Sequence, residues 1–427
     1  YKLEPGYCLS LKRGQKSYQP RQYWDVKLET KHQGSEHDLA EELISRLREA
    51  VDIRTVADVP LGAFLSGGVD SSAIVAMMAG LSDNPVNTCS ISFGDPKFNE
   101  SKFAAQVAER YHTDHRVEQV DPEDFSLIDQ LAGIYDEPYA DSSALPTYRV
   151  CELAKKQATV VLSGDGGDEN LAGYRRYRWH TYEDRMRSLL PDGIRMPLFG
   201  LAGQIYPKAD WAPKIFRAKS TLESIGRSSV EGYFHSVSVQ SNDLRSRLFS
   251  EKLKSDLQGY QAVEVFNRHL KNAPTDDAMS MVQYLDMKTY LPGDILTKVD
   301  RASMAHALEV RVPLLDHQLV EWMAGLQPDM KLKAKEGKYI FKKSLESYLP
   351  NDVLYRPKMG FSVPLSSWFK GPLKDKVNDA LLGESMQQCG LFDQAFLQKM
   401  VSQHQSGLRD YSAPIWSLLM FDRFLEN

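Results

Sequence analysis

The string LSGGVDSS, Leu65 to Ser72, packs two glycines, three serines and one carboxylate into eight residues. Gly67 and Gly68 let the backbone approach an oxyanion closely and turn several N–H groups toward it. The hydroxyls of Ser66, Ser71 and Ser72 add donors, and the apolar run that follows, AIVAMMAGL, reads as a helix offering its positive N-terminal end. This is the pattern of a phosphate cradle. Asp70 in its middle would repel phosphate, but it suits a magnesium ion bridging carboxylate and phosphate. A bare GG turn would be a surface loop with serine caps. The position of this string between the apolar run LGAFL and an apolar helix decides for the cradle. No GxxxxGK(S/T) occurs in the chain, which disfavours a loop gripping β- and γ-phosphates.

A second glycine-rich stretch, VVLSGDGGDENLAGY (Val160 to Tyr174), carries Ser163, Gly164, Asp165 and Asp168. Carboxylates from two strand ends can clamp a phosphate-bound cation. The plainer reading is that Asp165 and Asp168 cap the next helix.

These residues need elements to position them. Ser35 opens a helix with a capping-box pattern, SEHD, followed by Leu39, Leu43, Leu47 and Val51 on one stripe. Strands are expected at LGAFL, VNTCSISF, HRVEQV and ATVVL, and helices over 71–81, 100–111 and 144–157. Phe103, Val107 and Tyr111 should share a face of the second of these helices. Such alternation predicts an α/β fold, a parallel sheet flanked by helices, with both glycine-rich loops at the C-terminal ends of strands. Residues 35–174 form the expected nucleotide-binding core, and 175–427 a mainly helical region. Residues 1–34 read as a short hairpin and a linker.

Bulk properties exclude little but point one way. The chain has 427 residues and a net charge of −5, so nothing in the overall charge suggests nucleic acid or an anionic membrane. No apolar run reaches the ~18–20 residues of a membrane helix. Four scattered cysteines, Cys8, Cys89, Cys151 and Cys389, suit a reducing cytoplasm. The chain starts at Tyr1, which suggests a piece of a longer protein.

LSGGVDSS resembles the PP-loop of the N-type ATP pyrophosphatases, which cleave ATP between the α- and β-phosphates. The second loop, together with DEPYADSSALPTY, DRASMAHALEVRVPLLD, YRPKMGFSVPLSSWF and the closing GLRDYSAPIWSLLMFDRFL, resembles the synthetase domain of the glutamine-hydrolysing asparagine synthetase family. The motifs run in the family's order over essentially the whole chain. The resemblance implies that Ser66, Gly67, Gly68, Asp70 and Ser71 bind pyrophosphate and magnesium, and that Leu65, Ile91, Ser163 and Gly164 line the adenosine of ATP. It makes Asp168 the second magnesium carboxylate. Lys358, in RPKMGF, would supply from a distant segment the lysine absent from the first loop, and neutralise charge on the α-phosphate and the leaving pyrophosphate. Asp165 stands where many members carry glutamate; if that residue positions the acceptor or ammonia, the acceptor pocket differs from that for free aspartate. By the same resemblance, 1–34 is the end of a glutaminase domain whose body is not in this chain.

The function so implied is an ATP-dependent amide ligase. A carboxylate, by resemblance L-aspartate, becomes an acyl-adenylate, and ammonia derived from glutamine displaces AMP. Two alternatives remain: a relative amidating another carboxylate such as a sugar acid, and a nucleotide-binding regulator without turnover. The expected partners are small molecules and the glutaminase domain, with no nucleic acid and no membrane. A homodimer is an option that the sequence leaves open. Three further signals are set aside. His112 and His115 lack partners for a metal site, and YRRYRWH (Tyr174 to His180) reads as a helix face. Asp300, Arg301, Glu309 and Arg311 are expected to form a buried ionic network under the site.

Overall fold

The computed structural model describes residues 2–96, 98–206, 219–358 and 363–426. Near its start, β1 (Tyr7–Cys8) and β2 (Arg21–Gln22) pair as a small antiparallel hairpin. Helix α1 (Glu36–Asp52) then starts at Ser35, with both halves of the capping box formed between Ser35 and Asp38. Leu39, Leu43, Leu47 and Val51 are buried along it, as their spacing requires.

The centre of the molecule is a five-stranded, all-parallel sheet. Its strands are β3 (Leu61–Phe64), β4 (Asn87–Phe93), β5 (Asp114–Val120), β6 (Val160–Leu162) and β7 (Glu309–Arg311), in the order β5-β4-β3-β6-β7. The chain runs outward from β3 through β4 to β5, then returns to the other side of β3 with β6. Ala63 of β3 is in register with Thr88 on one side and Leu162 on the other. The order therefore reverses between β3 and β6, and the crevice at such a reversal is where open α/β sheets bind ligands.

Helix α2 (Val69–Ala79) follows β3 and starts two residues before the expected Ser71, so Asp70 lies in its first turn. Ser71 through Met78 are all buried, as befits a helix packed into the core rather than laid on it. Helix α3 (Ser101–Arg110) follows β4, with Val107 buried and Phe103 and Tyr111 half-buried beside it.

Two cores cover the two faces of the sheet. On one, Phe93, Tyr135 and Cys151 pack with Phe369, Ile415 and Trp416 from the C-terminal helices. On the other, Leu43, Leu47, Ile74 and Met77 pack with Met323, Ile340 and Phe341. A third cluster around Tyr177, Tyr233, Val282 and Leu285 builds a helical cap over the C-terminal edge of the sheet. All four cysteines are free thiols.

Strand β7 was not expected, and it overturns the anticipated ionic network. Glu309 and Arg311 are both on this three-residue strand and pair with each other at 2.6 Å, with the Glu309 side chain more than half exposed. Arg311 Nη1 donates to the carbonyls of both Arg54 and Val56. Arg301 instead reaches Asp136 at 2.7 Å, and both side chains are exposed. Neighbours in sequence thus point to different parts of the surface, and no buried network joins them.

Candidate functional site

The loop after β3 and the loop after β6 meet because their strands are hydrogen-bonded neighbours. Gly67 takes φ +71°, a conformation open to glycine, and a Cβ there would stand 2.5 Å from the Ala104 nitrogen. Gly164 lets the second loop lie against the first: a Cβ on it would stand 2.6 Å from the Ser71 nitrogen. Within the first loop the Ser66 and Ser71 hydroxyls are 3.0 Å apart, and Ser71 Oγ accepts from the Ser66 N–H.

Around these loops opens a cavity of about 810 Å³, within the range of small-molecule sites. Leu65, Ser66, Gly68, Asp70, Ser71, Ile91, Ser163, Gly164, Asp165, Asp168 and Lys358 all line it. Two expected residues do not. The Ser72 side chain is fully buried within α2, and Gly67 gives its carbonyl to the Arg356 guanidinium at 3.0 Å. Of the motif YRPKMGFSVPLSSWF, residues 359–362 lie outside the described residues.

At the floor of the cavity two carboxylates face each other across a lysine that sequence reasoning missed. Lys338 Nζ is bonded to Asp70 and lies 2.8 Å from Asp168 Oδ1. Lys358 Nζ bonds the other oxygen of Asp168 and sits 4.3 Å from the centre of the Tyr174 ring. Burial works against ionisation of Asp168, but Lys338 and Lys358 together outweigh it and hold its carboxyl well below the usual range. Asp70 is bonded to Lys338, and the charge of Lys358 acts on it more weakly. Burial, reinforced by the charge of Asp168, pushes its carboxyl upward. Lys338 is itself pushed up by the two carboxylates against the effect of burial.

Nothing in the composition around Lys338 singles it out, since it is one of six lysines between 331 and 343. What distinguishes it is backbone geometry. It has φ +56°, and its N–H bonds the carbonyl of Leu171 at 2.9 Å, which ties it to the end of the second loop. Arg356 was missed as well. It joins the first loop to Glu100 of the β4–α3 connection at 2.6 Å, stacked 4.5 Å above Phe103.

Asp165 belongs to a different neighbourhood from Asp70 and Asp168. It accepts a hydrogen bond from Ser163 Oγ at 2.6 Å. Burial raises its carboxyl above the usual range, while Ser163 and the ammonium of Lys298 oppose the rise. Lys298 is in turn bonded to Asp141 and to Ser143 Oγ, each at 2.7 Å. Beyond it Asp294 accepts from the Tyr139 hydroxyl. Lys298, Asp141 and Ser143 also line the cavity, so one end presents two lysines on two aspartates and the other presents Lys298 with Asp141 and Asp165.

Among the described residues no group of three or more His, Cys, Asp or Glu side chains converges to hold a metal ion. Asp70 and Asp168 supply two carboxylates, and Asp70 Oδ1 is buried without a hydrogen-bond partner. Such a pair suits Mg²⁺, which is held by one or two carboxylates and completes its octahedron with phosphate oxygens and water. His112 and His115 make no such site: the His115 ring lies between the hydroxyls of Thr88 and Ser90. YRRYRWH enters the helix Arg175–Ser188, where Arg176 stacks on Tyr174 at 3.9 Å and pairs with the buried Asp286 at 2.7 Å.

Comparison with known proteins adds to this geometry. The family model described as asparagine synthase matches residues 42–426. Asparagine synthetase (glutamine-hydrolyzing) 1 of Bacillus subtilis (strain 168) is 28% identical over 390 residues, which cover 91% of this chain and 59% of that protein. Asparagine synthetase (glutamine-hydrolyzing) 3 of the same organism is 30% identical over 365 residues, covering 79% and 50%. A more distant relative, amidase chry2 of Gibberella zeae, is 24% identical over 432 residues, covering 92% and 63%. The chain thus spans between half and two thirds of the length of these curated relatives.

Proposed function

This chain belongs to the asparagine synthase family, and on that premise we propose that it is an ATP-dependent amide ligase releasing AMP and pyrophosphate. The observation that carries the reading is the meeting of Asp70, Asp168, Lys338 and Lys358 beneath a lysine-free glycine loop.

ATP lies in the cavity with its adenosine against Leu65, Ile91, Ser163 and Gly164, and its β- and γ-phosphates on Ser66, Gly68, Ser71 and the start of α2. A magnesium ion held by Asp70 and Asp168 would supply charge neutralisation on the pyrophosphate side. The acceptor carboxylate enters from the side of Asp165 and Lys298 and attacks the α-phosphorus. The bond to the β-phosphate oxygen breaks, giving an acyl-adenylate and pyrophosphate. Lys358 reaches the same spot from a side chain with freedom to move, so its ammonium tracks the charge that grows on the α-phosphate and the leaving group. Ammonia then attacks the acyl carbon and AMP departs. Asp165, a carboxyl raised by its burial, is placed to take a proton from the incoming nitrogen. L-Aspartate is the first acceptor to consider, and glutamine is the nitrogen source in the longer relatives' names.

The test is product analysis with ammonium as nitrogen donor and a panel of acceptors containing L-aspartate and several sugar acids. AMP and pyrophosphate must form in step with one amide. ADP as the main nucleotide product would refute the reading. Acceptor-dependent pyrophosphate release with a sugar acid but not with aspartate would keep the chemistry and replace the substrate.

A further inference from the structure

The Lys358 side chain is more than a third exposed, and a flexible methylene stem separates its ammonium from the backbone. Its segment is pinned two residues earlier, where Arg356 donates to the Gly67 carbonyl and pairs with Glu100. That fixes where the side chain starts and leaves open where the ammonium stops. Among the described residues two groups meet the ammonium: an oxygen of Asp168, and the ring of Tyr174, whose centre is 4.3 Å away. Asp168 is shared. Lys338 holds its other oxygen, and under the proposed function a cation uses the same carboxylate. The Tyr174 ring carries no charge that a cation or a phosphate could claim. Its face attracts an ammonium through the ring quadrupole, most strongly where water is excluded.

The ring is itself firmly held. Tyr174 is the N-cap residue of the helix Arg175–Ser188, with φ −75° and ψ 136°. Its hydroxyl donates to Glu169 Oε1 at 2.7 Å, and Glu169 is buried. The rings of Tyr177 and Tyr290 meet it edge-on, at 5.6 and 5.9 Å between centres. The Arg176 guanidinium stacks on it at 3.9 Å, and the buried Asp286 meets the charge of that arginine. A tyrosine with neighbours on this many sides is a fixed surface against which a mobile lysine can come to rest.

We propose that Tyr174 is the positioning residue for Lys358. Its ring seats the ammonium beside Asp168, and Glu169 sets the ring through its hydroxyl. The inference rests on the role given to Lys358 in the proposed function. The seat acts on the rate more than on ATP binding, because Lys358 meets charge that grows only as pyrophosphate leaves. A tyrosine that merely packs the cap would instead act through the fold, whether or not Lys358 is present.

The test is a double-mutant cycle on the whole chain with ammonium as nitrogen donor. Tyr174→Leu should lower kcat on the order of tenfold, with the KM for ATP changed less than about threefold. Tyr174→Phe, which keeps the ring, should be several-fold faster than Tyr174→Leu. In the Lys358→Ala background, Tyr174→Leu should change kcat by less than about twofold. An equal loss in both backgrounds would overturn the proposal and leave Tyr174 a packing residue. Proton–carbon correlation spectra of protein carrying isotope-labelled lysine decide the matter without turnover, even where Tyr174→Leu does not fold. The ε-methylene of Lys358, assigned through its absence from Lys358→Arg, should be displaced upfield by the ring current of Tyr174. A wild-type signal at the position of exposed lysines would sink the proposal. ADP as the main nucleotide product would refute the reaction and leave the displaced signal in place, so the two failures read differently.

Discussion

Lys338 stands between Asp70 and Asp168, 2.8 Å from an oxygen of the latter, and is bonded across 268 residues of chain to the former. One ammonium thus holds two carboxylates together before any ligand adds charge. Replacing it by a methionine of similar length leaves two buried acids facing each other. Lys338→Met should cost on the order of 3–5 kcal/mol, the range for removing one partner of a buried pair. Urea unfolding measures this directly, and added magnesium should restore part of the loss. A midpoint equal to that of the wild type would mean that the lysine bears no such load.

Asp70 and Asp168 share that lysine and, under the proposed function, one cation. Asp70→Asn and Asp168→Asn should each reduce turnover to near background, and the double variant should be little worse than either. Kinetics of the three variants, with circular dichroism to show the fold intact, provide the check. Losses that multiply would show that the two carboxylates act separately.

Lys358 differs from Lys338 in exposure, at 39% against 7% for the side chain. It can be removed at small structural cost. Lys358→Ala should lower kcat on the order of 10²-fold, as loss of one charge-stabilising donor does elsewhere, with ATP affinity little changed. A variant that binds ATP poorly yet turns over normally would restrict the residue to binding.

Asp294 provides a pH test away from the proposed cation site. Burial, with the adjacent charge of Asp141, pushes its carboxyl up to about 6. A raised acid binds its proton more tightly folded than unfolded. Its contribution to stability is therefore full below the unfolded value of ~3.9 and is lost as pH rises through about 6. Asp294→Asn keeps an acceptor for the Tyr139 hydroxyl and removes the titration. Its melting temperature relative to wild type should climb between pH 4 and pH 7. A difference that stays constant with pH would show that Asp294 does not titrate in this window.

What the sequence made legible was local. The strand–loop–helix from Leu61 to Ala79, the capping box at Ser35 and the second glycine loop each depend on residues a few positions apart. Spacing and residue type carry that information. Lys338 was illegible because its role comes from a left-handed backbone and two partners far along the chain, while its neighbours are other lysines. Strand β7 was illegible because three residues with charges at both ends show neither alternation nor an apolar run. The error over Arg301 and Arg311 has the same origin. Nearness in sequence said nothing about a helix turning one side chain outward and a strand turning the other toward Arg54.

The strand order also governs how the chain matures on the ribosome. β3 is the middle strand, yet its partner β6 is translated roughly a hundred residues later, on the order of ten seconds at about 5–20 residues per second. During that interval the nascent sheet presents an open edge of β3, Leu61–Phe64, with an unpaired row of backbone groups. Lys338 and Lys358 emerge later still, so Asp70 and Asp168 are made well before their counter-charges. Chaperone dependence during translation should accordingly concentrate on chains halted between β5 and β6, and should fall once β6 is free to pair.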